Sequence, residues 1–254
     1  MYHILRHMGI ILYGFLGSLA AGLATSLGGL PVFFIKKINH KAYSAMLGVS
    51  GGIMLAATIF SLLLPGIEKG GVYTAAAGLL AGVLFIELIA RFVPHEHFFK
   101  GHEGPSSTLK RVSLFILAIT IHNFPEGMSV GVGFGMGDPA KALALAIGIG
   151  IQNIPEGAAV ALPMLSLGYA PRTAFSVAFL SGLVEPVGGL IGASAVALFS
   201  GILPFALSFS AGCMLYVISG EMIPESHEKG YGKLATWYLV GGFIVMMLLD
   251  NLLG

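Results

Sequence analysis

Apolar residues along this chain come in long blocks. Stretches with almost no charge can be drawn at residues 9–35, 43–65, 71–93, 111–135, 142–164, 171–200, 203–223 and 234–253. Each supplies the roughly 20 residues that a helix needs to cross a hydrocarbon core about 30 Å thick. The pattern therefore predicts an all-α integral membrane protein with eight transmembrane helices. Composition agrees: of 254 residues, 56% are hydrophobic and only 10% charged, against roughly 25% charged in an ordinary soluble domain.

The 37 glycines are spread through the apolar blocks, where small residues let helix backbones approach closely in lipid. Cys213 is the lone cysteine, which excludes an intrachain disulfide and a cysteine zinc motif. The opening "MYHILRHMGIILYG" has the look of a short signal peptide, but no cleavage site interrupts the block before it can span, so it is read as the first membrane helix. No basic run or P-loop pattern is present, and no nucleic acid or nucleotide partner is expected. The net charge of +1 selects no partner.

With eight crossings both termini share a side, and the connecting loops fall into two sets. One holds Lys36, Lys37, Lys41, Arg91, Lys100, Lys110, Arg111, Arg172, Lys229 and Lys233; the other holds Arg6, Lys69 and Lys141. Positive charge prefers the cytoplasm, so the rich set is expected inside and both termini on the extracytoplasmic side. Without a targeting extension, the plasma membrane of a bacterial or archaeal cell is the expected location, with lipid and metal ions as partners and a homodimer allowed for.

Sliding the chain against itself by 160 positions lays "GLATSLGGL" (22–30) over "GLVEPVGGL" (182–190), and Gly52, Met54 and Leu55 over Gly212, Met214 and Leu215. The first three helices thus read as a copy of the last three. Five helices separate the starts of the copies, an odd number, so the copies enter the membrane from opposite faces. The expected organisation is one membrane domain, 1–254, in a 3+2+3 arrangement with an inverted repeat of helices 1–3 and 6–8. Residues 1–93 form repeat one, 94–110 a histidine-containing cytoplasmic loop, 111–164 the two central helices and 170–254 repeat two. In such architectures substrate sites lie near the midplane between repeats.

The central helices carry one phrase twice, "TIHNFPEGMSVGVG" (120–133) and "GIQNIPEGAAVALP" (150–163). An acid at the bilayer centre costs about 2.5–3.5 kcal/mol on insertion scales, so Glu126, Glu156 and Glu185 together cost on the order of 8–10 kcal/mol. Residues four apart share a helix face, which pairs His122 with Glu126 and Gln152 with Glu156; Asn123 and Asn153 border the same space. Pro125 and Pro155 lack an N–H and leave the carbonyls of Ile121 and Ile151 without helical partners. The result is an oxygen-rich pocket at two bends, with nitrogen and oxygen donors and no thiolate, which suits Zn²⁺, Fe²⁺ or Mn²⁺. A membrane histidine is often only an interhelical hydrogen bonder, and Met54 alone reads as core filling. The repeated glutamates have no such plain reading, because they raise the insertion cost with no packing return.

"HNFPEG" in the fourth helix followed by "QNIPEG" in the fifth closely resembles the ZIP (Zrt/Irt-like) family of divalent-metal transporters, over essentially the whole chain. The resemblance implies one metal held by His122, Glu126, Gln152 and Glu156 with Met54. It also implies a second position at Asn123, Asn153 and Glu185, bridged by Glu126 and Glu156. Many members carry His or Asp where this chain has Gln152 and Asn153, which bears on whether one or two ions bind and on metal preference. The implied cargo is Zn²⁺ first, with Fe²⁺, Mn²⁺ and Cd²⁺ behind it, imported to the cytoplasm, and no enzyme activity.

On the expected inner face, His95, His97 and His102 in "PHEHFFKGHEG" and Glu221 and His227 in "GEMIPESHEKG" are assigned at most a receiving role on the exit side; a plain solvated loop explains them equally well. The rival from another class is an intramembrane metallohydrolase using the same ligands to activate water, against which no HExxH pair is present. A proton or sodium pathway on glutamates alone gives His122 nothing to do.

Overall fold

The protein is described by a computed structural model that covers residues 2–35, 39–97, 101–103, 106, 111–228 and 230–253, with side chains for all of these except 2–6, 95–97, 101–103, 111–116, 118 and 119. Lys36, Lys37, Lys100, Lys110 and Lys229 of the charge-rich loop set lie outside the described residues.

Helix α1 (Tyr2–Gly29) closes in a 3-10 turn at Leu30–Phe33. Asn39 starts α2 (His40–Ala56): its Oδ1 accepts from the N–H groups of Lys41 and Ala42 at 3.0 and 3.4 Å, two of the donors that a helix start leaves unpaired. A π-helical stretch, Ala57–Leu63, leads into α3 (Leu64–Phe92). After a two-stranded antiparallel hairpin, β1 (His95–His97) and β2 (Gly101–Glu103), come α4 (Arg111–Gly133) and α5 (Pro139–Ser166). Asp138 caps α5, with Pro139 where its missing N–H is harmless. The rest is α6 (Pro171–Gly182), α7 (Glu185–Leu198), α8 (Leu203–Val217), a second π stretch at Ile218–Met222, the short α9 (Ile223–His227) and α10 (Gly232–Leu253).

All eight apolar blocks are helical, but their boundaries differ from the hydropathy reading. Blocks 43–65 and 71–93 form one 53-residue apolar run, His40–Phe92, interrupted at Gly71, whose φ of 76° and ψ of 165° lie outside the helical region. A glycine adopts that backbone at little steric cost. Block 171–200 divides between α6 and α7, because Pro186 has no N–H to give the carbonyl of Gly182. Glu185 is therefore the first residue of α7 and not a mid-helix residue as its position in the block suggested; a carboxylate there meets the favourable end of the helix dipole. Among the described residues, six helical runs are long and apolar enough to cross a membrane. Large apolar side chains such as Trp237, Leu252 and Tyr73 stand exposed around the outside, a surface that suits lipid and not water. Apart from the short hairpin the regular structure is helical, that of a multi-pass membrane protein.

Helix α2 packs along α10 and α3 along α8, while α1 packs along α5 and α4 along α7. Within these pairs, and between α1 and α6, glycines bring backbones together. A Cβ on Gly22 would strike the carbonyl of Gly182, and one on Gly182 the carbonyl of Gly22. Gly52 lies against the carbonyl of Leu239 and Gly212 against that of Leu79; Gly28 lies against Ile154 and Gly188 against Phe124; Gly157 lies against Thr25 and Gly127 against Glu185. Each contact becomes its mate when positions in the first and last thirds shift by 160 and positions in α4 and α5 shift by 30. The two π stretches, centred near Phe60 and Gly220, obey the same shift.

Candidate metal centre

The doubled phrase puts its polar side chains inside the protein. Asn123, Glu126, Gln152, Asn153, Glu156 and Glu185 are each no more than 5% exposed, and Met54 of α2 is as deeply buried. Three different helices supply the carboxylates: α4 gives Glu126, α5 gives Glu156 and the start of α7 gives Glu185. They share a neighbourhood in which Glu126 feels the charges of both others. Buried acids so close to one another repel when ionised, and a divalent cation or protons relieve that repulsion.

A chain of hydrogen bonds runs through the cluster. Ser50 Oγ donates to Gln152 Oε1 at 2.6 Å, Gln152 Nε2 donates to Asn153 Oδ1 at 2.6 Å, and Asn153 Nδ2 donates to Glu185 Oε1 at 2.6 Å and to the Ala21 carbonyl at 2.8 Å. The chain orients the amides and leaves other oxygens over. Both oxygens of Glu126, Oε2 of Glu156, Oε2 of Glu185 and both polar atoms of the Asn123 side chain are buried with no hydrogen-bond partner. Buried polar atoms are almost always paired, so these are the atoms of the cluster with hydrogen-bonding or ligating capacity to spare.

His122, close enough to Glu156 for their charges to interact, also meets a carboxylate from outside the cluster. Its Nε2 lies 2.5 Å from Glu221 Oε2, and Glu221 is itself 5% exposed at the π stretch that ends α8. Among the described residues, no group of three or more His, Cys, Asp or Glu side chains is arranged to hold a metal ion.

Of the residues expected on the exit side, Glu221 thus belongs to the interior. His227 is tied down locally, with Nδ1 2.8 Å from Ser226 Oγ and 2.9 Å from the Ile223 carbonyl and Nε2 3.2 Å from Thr236 Oγ1. The side chains of His95, His97 and His102 lie outside the described residues; their backbones form the hairpin that pairs His95 with Glu103 and Glu96 with His102. Polar contacts that the sequence did not single out are Ser61 Oγ to Asp250 Oδ1 at 2.5 Å and Tyr43 Oη to Glu225 Oε1 at 2.6 Å. Asp250, an acid in the last apolar block, was open to the same insertion-cost argument as the glutamates.

This combination of an apolar helical fold and a buried acid and amide cluster has a counterpart among known proteins. The family described as ZIP zinc transporter matches residues 95–250. The chain is similar to zinc transporter GufA of Myxococcus xanthus, 44% identical over 95% of this chain and 99% of that one. It is 42% identical to zinc transporter ZIPB of Bordetella bronchiseptica over 95% of this chain and 82% of that one. With zinc transporter ZupT of Clostridium perfringens the identity is 33%, over 94% and 95%. The chain belongs to the ZIP family. Membership points to a transporter and gives no support to the hydrolase alternative.

Proposed function

We propose that the chain imports divalent metal, zinc before iron, manganese or cadmium, across the plasma membrane through the carboxylate and amide cluster. The observation that carries the reading is the set of partnerless, buried carboxylate oxygens contributed by three helices. His122, Glu126, Gln152, Glu156 and Met54 surround one ion; Asn123, Asn153 and Glu185, with Glu126 and Glu156 as bridges, surround a neighbouring one. The metal arrives hydrated and exchanges water for carboxylate oxygens. Metal ligands must be deprotonated, so binding expels the protons that an empty acid cluster holds, and uptake is linked to pH.

The membrane arrangement in this reading is eight crossings in a 3+2+3 order, with both termini outside. The 53-residue run counts as two crossings because it is more than twice the roughly 20 residues required. The mirrored contacts of Gly52 and Gly212, and of Gly28 and Gly188, support the repeat. Alternating access then moves one group of helices (α1, α4, α5, α6, α7) against the other (α2, α3, α8, α10). Backbone-close glycine contacts lie within each group. Across the boundary Gly148 meets only the side chain of Met246, a flexible group that allows sliding.

The test is uptake by wild-type protein in proteoliposomes loaded with a metal-sensitive dye and challenged with a panel of divalent ions. Zinc-driven signal above protein-free vesicles supports the reading; no signal with any ion refutes it.

A further inference from the structure

We propose that Ser210 and Met214 of α8 serve the cargo in the opposite-facing state as Ser50 and Met54 of α2 serve it in the present one. The proposal rests on the transport reading above and adds two residues to its path.

The 160-position shift that relates the glycine contacts carries Ser50 onto Ser210, Met54 onto Met214 and Ser61 onto Glu221. The 30-position shift carries His122 onto Gln152. The pairings of these residues do not follow the shift. Ser50 Oγ is bonded to Gln152, whereas its twin Ser210 is fully buried and its Oγ has no partner. His122 is paired with Glu221, whereas the twin of Glu221, Ser61, is bonded to Asp250 and Gln152 is elsewhere. Each repeat thus holds a pairing that the other lacks.

Two near copies in inverted orientation generate the opposite-facing state when each adopts the arrangement of the other. That exchange places His122 on Ser210 and Gln152 on Ser61, and brings the Met214 thioether where Met54 now stands. A buried hydroxyl without a partner is unfavourable, and the partner it lacks here is the one the exchange supplies. Met214 is already turned toward α4: Ser129 Oγ, one turn beyond Glu126, lies 3.3 Å from its Sδ.

The experiment uses the full chain in membranes, with Cys213→Ser removing the native thiol. Two double variants, S50C with Q152C and S210C with H122C, are oxidised with copper phenanthroline. Cross-linking of both pairs is expected. Failure of the S210C and H122C pair, whatever the other pair does, overturns the proposal. In parallel, Ser210→Ala and Met214→Leu are reconstituted after their zinc binding at equilibrium and thermal unfolding have been compared with wild type. Zinc uptake slower by about fivefold, the size of one hydrogen bond, with binding and unfolding unchanged, supports the assignment; wild-type uptake in both variants contradicts it. Uptake by the wild type reports on the transport reading alone, whereas the cross-link reports on the second state whether or not zinc moves.

Discussion

His122 Nε2 sits 2.5 Å from Glu221 Oε2, so the one imidazole of the doubled phrase is held by a carboxylate on a different helix from any of the three clustered acids. In the proposed function the Glu221 carboxylate competes with metal for that nitrogen. Glu221→Gln removes the competing charge, and a charge-assisted hydrogen bond contributes about 1.5–3 kcal/mol. Zinc affinity measured by equilibrium binding is therefore expected to rise by about tenfold or more, while turnover falls because the nitrogen is surrendered less readily. Unchanged affinity means that the pair does not control the site.

The Ser61 to Asp250 bond joins the π stretch that follows α2 to α10. Ser61→Ala leaves a carboxylate, 9% exposed, without its hydroxyl donor, which costs about 1–3 kcal/mol. The double variant Ser61→Ala with Asp250→Leu removes both partners and is expected to unfold at a higher temperature in detergent than Ser61→Ala alone. The reverse order shows that the bond does little for stability.

Asn153 donates to Glu185, a bond that an aspartate in its place cannot make when both acids are ionised. Asn153→Asp adds a fourth acid to a repelling cluster and a harder ligand to the second position. Metal-free protein is expected to melt earlier than wild type and zinc-loaded protein to recover the difference. Bound zinc per chain, read by elemental analysis, should move toward two.

Backbone contact at the repeat axis leaves no room at Gly22 and Gly182. Leucine at either position forces the helices apart, an overpacking that costs about 1–3 kcal/mol or more, whereas Gly241, with nothing near its added Cβ, tolerates alanine. Yield of monodisperse protein from detergent extracts separates the two outcomes.

The helices and the buried acids were legible because both follow from the hostility of hydrocarbon to polar groups. Long uncharged blocks had to be helical, and Glu126 and Glu156 had to be inside. The 160-position shift read from the sequence also relates Leu79, which Gly212 touches, to Leu239, which Gly52 touches. Harder to read were details set by tertiary partners. Pro186 looked like part of one long helix, yet its missing N–H ends α6 at Gly182. The Glu221 partner of His122 was out of reach, because helical spacing says which residues share a face and nothing about a carboxylate arriving from the π stretch after α8. The same blindness hid Ser50 and Ser61, hydroxyls whose importance lies in the residue opposite.

In the proposed function the acids buried among apolar helices receive a doubly charged ion. The most direct measurement of that function is initial zinc uptake by proteoliposomes containing equal amounts of inserted wild type, Glu126→Ala or Glu156→Ala. Uptake is expected from the wild type, and none above protein-free vesicles from either variant. Wild-type rates in both variants would contradict it.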